Sequence, residues 1–209
     1  MTPQLKSLSV GFVGIALLAG IAAALIWRHG APPMELATGT YLPHGRDVPD
    51  FSLIDDHGRT FGPANLKGAW SMVFFGYTNC PDFCPTTLST LAALEKRLRA
   101  SGATVRPRVI FVSVDAKRDT PEKLAKYVPY FDPEFIGVTA ADQTSLEAVA
   151  ANLGVGVNIV PNADGNYTVE HSGAIFVMNP DGKLTAILTG PFTVDALQAD
   201  FQRIVAGHA

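Results

Sequence analysis

Cys80 and Cys84, the only two cysteines in 209 residues, stand four positions apart in YTNCPDFCPTTL, each followed by a proline. Thiols at this spacing can form a disulfide, work as a redox couple, or offer two soft ligands to a metal ion. If the chain begins to coil after Pro81, positions i and i+4 turn to one face and the sulfurs converge. A purely structural crosslink is disfavoured, because a bridge stabilises mainly by closing a loop and this loop is very short. Near a helix amino terminus Cys84 feels the positive end of the dipole, which predicts a lowered thiol pKa. A metal needs further donors. Structural zinc normally takes four ligands, whereas two thiolates and one imidazole suit copper.

Five histidines could supply the imidazole. His29 and His44 lie in the leading segment, His208 is penultimate, and His57 sits in a polar turn, so each reads as a solvated surface group. His171 differs, since it ends the stretch YTVEH just before Ser172-Gly173 and the apolar run AIFVM. Residue types alone do not show that it approaches the cysteines.

The elements that must position these residues follow from periodicity. PDFSLIDDHGRTFG alternates around Asp55-Asp56-His57-Gly58 and predicts a hairpin, and AWSMVFFGYT predicts a buried strand ending at the cysteines. Leu88, Leu91, Leu94 and Leu98 recur at helical spacing, with Pro85 in the first turn. RVIFVSVD is a second buried strand, and TPEKLAKYVPYF a helix with Thr120 as N-cap. FIGVTA is a strand, DQTSLEAVAANLG a helix capped by Asp142, and TVDALQADFQRIVAG a closing helix capped by Thr193. YTVEHSGAIFVMNPDGKLTAILTG reads as two strands around the Asn179–Gly182 turn. This order predicts a three-layer α/β domain with a mixed sheet, its cysteine motif at the carboxyl ends of the strands.

Ser7 to Trp27 carry no charged side chain, and as a helix they would reach about 31 Å, close to the thickness of a bilayer core. The run Ala22-Ala23-Ala24 resembles a signal-peptide cleavage site, but Leu25, Ile26 and Trp27 extend the apolar stretch beyond it, favouring an uncleaved anchor. The expected organisation is a cytoplasmic stub at 1–6, a transmembrane anchor at 7–27, a tether at 28–46 and the folded domain at 47–209. The amino terminus and Lys6 precede the span and Arg28 follows it, favouring amino terminus inside and domain outside. Beyond residue 31 there are 14 basic and 19 acidic groups, an acidic balance that argues against nucleic acid.

Three blocks in register, FFGYTNCPDFCPTTL, FVSVDAKRDTPEKLAKYV and VEHSGAIFVMNPDGKL, resemble the Sco/SenC family of membrane-anchored, thioredoxin-like copper proteins, over about residues 47 to 205. The resemblance implies a thioredoxin-like three-layer fold and copper, as Cu(I) and Cu(II), held by Cys80, Cys84 and His171. It implies a metallochaperone that helps load the dinuclear copper site of cytochrome c oxidase subunit II. The implied setting is the periplasmic side of the cell inner membrane, with an upstream copper donor and a thiol reductant as further partners. Asp115 and Asp119 match acidic positions of the family's second block. Asp115 is expected near the site behind the ligands, and Asp119 with Thr120 is expected to shape the helix start. Glu170 stands where family members often carry Asp. Two other readings use the same residues: Cys80 and Cys84 as the redox-active pair of a thiol-disulfide oxidoreductase, or a membrane-anchored redox or copper sensor. A peroxidase is disfavoured, since no separate resolving cysteine remains.

Overall fold

The computed structural model describes residues 34–163 and 165–208. The expected stub, the span at 7–27 and the first part of the tether lie outside them. Among the described residues no helix is long and apolar enough to cross a membrane.

The described residues form ten strands and four α-helices, in chain order β1 (Gly39–Arg46), β2 (Leu53–Asp55), β3 (Thr60–Phe61), β4 (Ser71–Gly76), α1 (Phe83–Ala100), β5 (Arg108–Ser113), α2 (Pro121–Tyr127), β6 (Ile136–Thr139), α3 (Gln143–Asn152), β7 (Val157–Pro161), β8 (Tyr167–His171), β9 (Ile175–Met178), β10 (Leu184–Leu188) and α4 (Val194–Ala206). Eight strands form one sheet in the order β1-β10-β9-β4-β5-β6-β2-β3. β4, β5 and β6 are parallel, while β9 runs antiparallel to β4 and β2 antiparallel to β6, so the sheet is mixed as the sequence predicts.

Successive residues of a strand face opposite ways, and the central strands bury both sets. Met72 and Phe74 of β4 enter one core cluster with Leu88, Leu91, Leu94 and Leu98 of α1 and Phe201 of α4. Val73 and Phe75 enter the other with Leu146, Val149 and Ala150 of α3. Helices thus cover both faces, giving the three layers. The predicted caps form: Thr120 accepts from the Lys123 amide, Asp142 from Ser145 and Thr193 from Ala196.

Two parts of the chain depart from the sequence reading. Residues 39–46 belong not to a tether but to β1, paired with β10 through Gly39–Tyr41 and, after a register shift, Arg46. The fully buried Asp200 of α4 holds the residues just before it, accepting from the amides of Ala37 at 2.7 Å and Thr38 at 2.8 Å and from the Thr38 hydroxyl at 2.6 Å. The stretch read as two strands after residue 167 holds three. The first, β8, leaves the main sheet and pairs with β7 as a separate antiparallel hairpin.

Leu91 sits at the centre of the α1 contact and is completely buried. Leu91→Ala should cost about 2–5 kcal/mol through lost burial and a residual cavity, whereas Ser89→Ala, on the exposed side of the same helix, should change stability by less than about 0.5 kcal/mol. Denaturant unfolding of the two variants measures the difference.

Candidate metal centre

β4 ends at Gly76 and feeds straight into the cysteine loop, where the Cys80 amide closes a turn on the Tyr77 carbonyl at 3.1 Å. α1 begins at Phe83, so Cys84 lies in its first turn, completely buried, while Cys80 is half-buried just before the helix. Both thiols are free. The Cys84 amide donates to the Cys80 sulfur at 3.4 Å, so the loop does coil in the way that brings the two together. Gly76 allows this: a Cβ there would lie 2.9 Å from the Cys84 sulfur and 2.7 Å from the Phe111 ring, closer than packed atoms come.

His171 is the last residue of β8, and its Nε2 lies 3.5 Å from the Cys84 sulfur. Its Nδ1 lies 3.0 Å from the Ser172 carbonyl oxygen. A carbonyl only accepts, so Nδ1 carries the proton and the Nε2 lone pair faces the sulfur. Tyr77 and Phe74 set the ring, both meeting it edge to face, with centroids 6.0 and 6.3 Å away. One ligand atom from each of Cys80, Cys84 and His171 lies within 4.8 Å of the others. Two sulfurs and one nitrogen make a donor set for a soft cation, and three donors leave coordination open.

Burial decides the protonation states. It pushes the Cys84 thiol up, the hydrogen bond with Cys80 adds to the rise, and a backbone hydrogen bond from Tyr77 offsets only part of it. The lowered value expected from the helix terminus is therefore not found: the dipole is present, but desolvation of a fully buried sulfur outweighs it. Burial also pushes His171 down, against the smaller opposing effect of the Ser172 carbonyl, which keeps the imidazole neutral.

The aspartates lie elsewhere than expected. Thr120 caps the helix start, and Asp119 reaches that helix only through the Lys123 side chain. Fully buried, Asp119 accepts from the Thr78 amide and the Ser113 hydroxyl, both at 2.8 Å, and pairs with Lys123 at 3.1 Å. The Asp115 carboxylate is likewise buried, but it turns to Arg118 and to the Tyr167 hydroxyl at 2.8 Å rather than to the ligand atoms. Glu170 pairs with Asn158 across the outer face of the hairpin at 3.0 Å. Tyr77, Thr78, Arg118 and Tyr167, which sequence reasoning missed, support the site, and only the spacing of Arg118 three residues after Asp115 hinted at one of them. His44 is exposed on β1, and His208 meets the Trp70 ring at 5.2 Å. Asp55, Asp56 and His57 also cluster within 4.8 Å, but their carboxylates are engaged by Arg59, by the amides of His57, Arg59 and Gly137 and by the His57 ring, which makes them a turn.

The family model described as SCO1/SenC matches residues 41–206. A SCO2-like protein of Rickettsia felis is 33% identical over 174 residues, covering 81% of this chain and 83% of that one. The crystal structure of Arabidopsis thaliana ScoI with copper bound superposes with a TM-score of 0.72 at 32% identity, over 76% of this chain and 97% of that one. Yeast Sco1 with copper bound superposes with a TM-score of 0.71 at 27% identity, over 77% of this chain and 89% of that one. The mixed sheet with helices on both faces is the thioredoxin-like architecture these proteins share.

A buried thiol held protonated must lose its proton to a metal. The affinity of the site for a soft monovalent cation should therefore rise with pH through the neutral range. Because burial depresses the imidazole pKa, any weakening from His171 protonation should set in below the ordinary imidazole range rather than within it. Competition titrations from pH 5.5 to 8.5 measure both: steady strengthening with proton release is expected, and a pH-independent affinity would contradict the buried-thiol account.

Proposed function

This chain belongs to the SCO1/SenC family, and from that premise we propose that it is a copper metallochaperone that binds its cargo through Cys80, Cys84 and His171. The observation that carries the reading is the convergence, from chain positions 87 residues apart, of a neutral imidazole nitrogen on a buried sulfur. Thiolates suit Cu(I), and an imidazole with two sulfurs accommodates Cu(II) as well. The half-buried Cys80 provides the open side, from which an acceptor's ligands can replace the chaperone's one at a time. A closed four-ligand site would resist such exchange.

The recipient in this reading is the dinuclear copper site of cytochrome c oxidase subunit II, with the domain held on the periplasmic face of the inner membrane by the apolar segment at 7–27. An upstream protein supplies the copper, and a thiol reductant keeps Cys80 and Cys84 reduced, since a disulfide would block loading. A second reading rests on the two free thiols lying side by side with one reachable from solvent: the pair would reduce the cysteines of the recipient site by thiol-disulfide exchange. That chemistry needs no imidazole, and the high pKa of Cys84 disfavours it as the attacking group.

Anaerobic Cu(I) titration of the reduced full chain against a competing chelator separates the readings. One copper per chain is expected for the wild type. Cys80→Ser and Cys84→Ser should lose tight binding, and His171→Ala should weaken it by at least about tenfold while leaving disulfide-reducing activity nearly intact. Unchanged affinity in His171→Ala would remove it from the ligand set.

A further inference from the structure

His171 stands at the end of a hairpin that forms no ladder with the main sheet. Strand pairing therefore does not fix its distance from Cys84, and tertiary contacts must. Val169 supplies one by entering the core cluster. Tyr77 and Phe74 pack on the His171 ring itself, and a polar set converges on Arg118, in the loop between β5 and α2. Its guanidinium lies 3.7 Å from the centroid of the Tyr167 ring and 5.6 Å from that of Tyr77. Nη1 donates to the Tyr167 carbonyl at 3.0 Å, and Nε donates to Asp115. The Tyr167 hydroxyl donates to the same carboxylate at 2.8 Å, so Asp115, Arg118 and Tyr167 form a closed ring in which each touches the other two.

Four residues further along that loop, Asp119 makes the equivalent connection on the opposite side. It accepts from both the amide and the hydroxyl of Thr78, two positions before Cys80. One short loop thus presents two buried carboxylates, one tied to the strand that carries His171 and the other to the segment that carries Cys80 and Cys84.

We propose that the loop from Ser113 to Thr120 sets the register between the two halves of the copper site. Asp115 and Arg118, acting through Tyr167, are positioning residues for His171, and Asp119, acting through Thr78, positions the cysteine segment. The proposal rests on the reading of Cys80, Cys84 and His171 as the ligands. The physical basis is an asymmetry between the donors. The two sulfurs share one turn and approach each other by local geometry, whereas the imidazole arrives from a separate hairpin. A carboxylate removed from water holds its cationic partner firmly, because separating them would leave a buried charge unpaired. The aromatic ring beneath the guanidinium adds a cation–π contact and fixes its plane. The arrangement is a polar strap on an arm that strand pairing does not tie to the main sheet. Partners that orient metal ligands without touching the metal commonly change affinity by about 10- to 100-fold.

The test uses the full chain in detergent, as wild type, Arg118→Met, Tyr167→Leu, Tyr167→Phe, Asp119→Asn and His171→Ala. Two readings are taken: electron paramagnetic resonance with optical absorption of the Cu(II)-loaded reduced protein, and amide hydrogen exchange of the copper-free protein. Arg118→Met and Tyr167→Leu should lose the imidazole nitrogen coupling, as His171→Ala does, while keeping the sulfur-to-copper charge-transfer band. Exchange at residues 167–171 should quicken about tenfold or more, with α1 unchanged. Tyr167→Phe keeps the ring under Arg118 and should restore the nitrogen coupling. Asp119→Asn should instead weaken the charge-transfer band and quicken exchange at residues 77–80, leaving the hairpin protected.

Should Arg118→Met fail to fold, Tyr167→Leu and its Tyr167→Phe rescue decide on the same readings. Nitrogen coupling and hairpin exchange unchanged in a folded strap variant would overturn the proposal while leaving the ligands standing. Absence of nitrogen coupling in the wild type, or its persistence in His171→Ala, would instead remove His171 from the ligand set.

Discussion

The site depends on one close approach, that of the buried Cys84 sulfur to the Nε2 of His171 at 3.5 Å. The sulfur sits in the core cluster built on α1, whereas the strand that delivers the imidazole plants Val169 in the cluster on the opposite face. The two meet only at the end of the sheet, where β4 stops. Gly76 makes room by lacking a side chain, and Gly173 does the same on the histidine side, where a Cβ would fall 2.5 Å from the Phe83 ring. The polar framework around the meeting point is consistent with its being held rather than incidental: Asp115, Asp119, Thr78, Arg118 and Tyr167 are spent on one another.

Burial gives the three donors different tasks. Cys84 is shielded and held as a thiol, His171 is held neutral with one nitrogen occupied and the other free, and Cys80 remains within reach of solvent. In the proposed role, a metal arriving at this site would first displace a proton from a buried sulfur, which would make loading responsive to pH and to the redox state of the thiols. Tyr167, whose hydroxyl is pushed up to about 12 by desolvation and by its bond to Asp115, stays a hydrogen-bond donor at any physiological pH.

Much of this was legible in the sequence. The leucine spacing of α1, the buried runs of β4 and β5 and the caps Thr120, Asp142 and Thr193 each have a local cause, and each forms where its pattern placed it. β1 and β7 do not announce themselves. GTYLPHGR carries Pro43 and a Gly45 at φ 59°, and it becomes a strand because β10 offers an edge to pair with. VNIVP is largely exposed and exists through its partner β8. The helix-terminus argument for Cys84 failed because a local dipole was weighed without the burial that the tertiary fold imposes. Asp115 was expected behind the ligands, but its carboxylate is taken by Arg118 and by Tyr167, which lies 52 positions away where no spacing rule could find it. His171 could be selected from five histidines only through the family resemblance, since its meeting with Cys84 is a property of topology.

The most direct measurement of the central claim is X-ray absorption spectroscopy of the copper-loaded chain in its Cu(I) state. The account predicts two sulfur scatterers and one imidazole nitrogen per copper, with the imidazole scattering lost in His171→Ala. A first shell of sulfur alone in the wild type, or an imidazole contribution that survives the removal of His171, would contradict it.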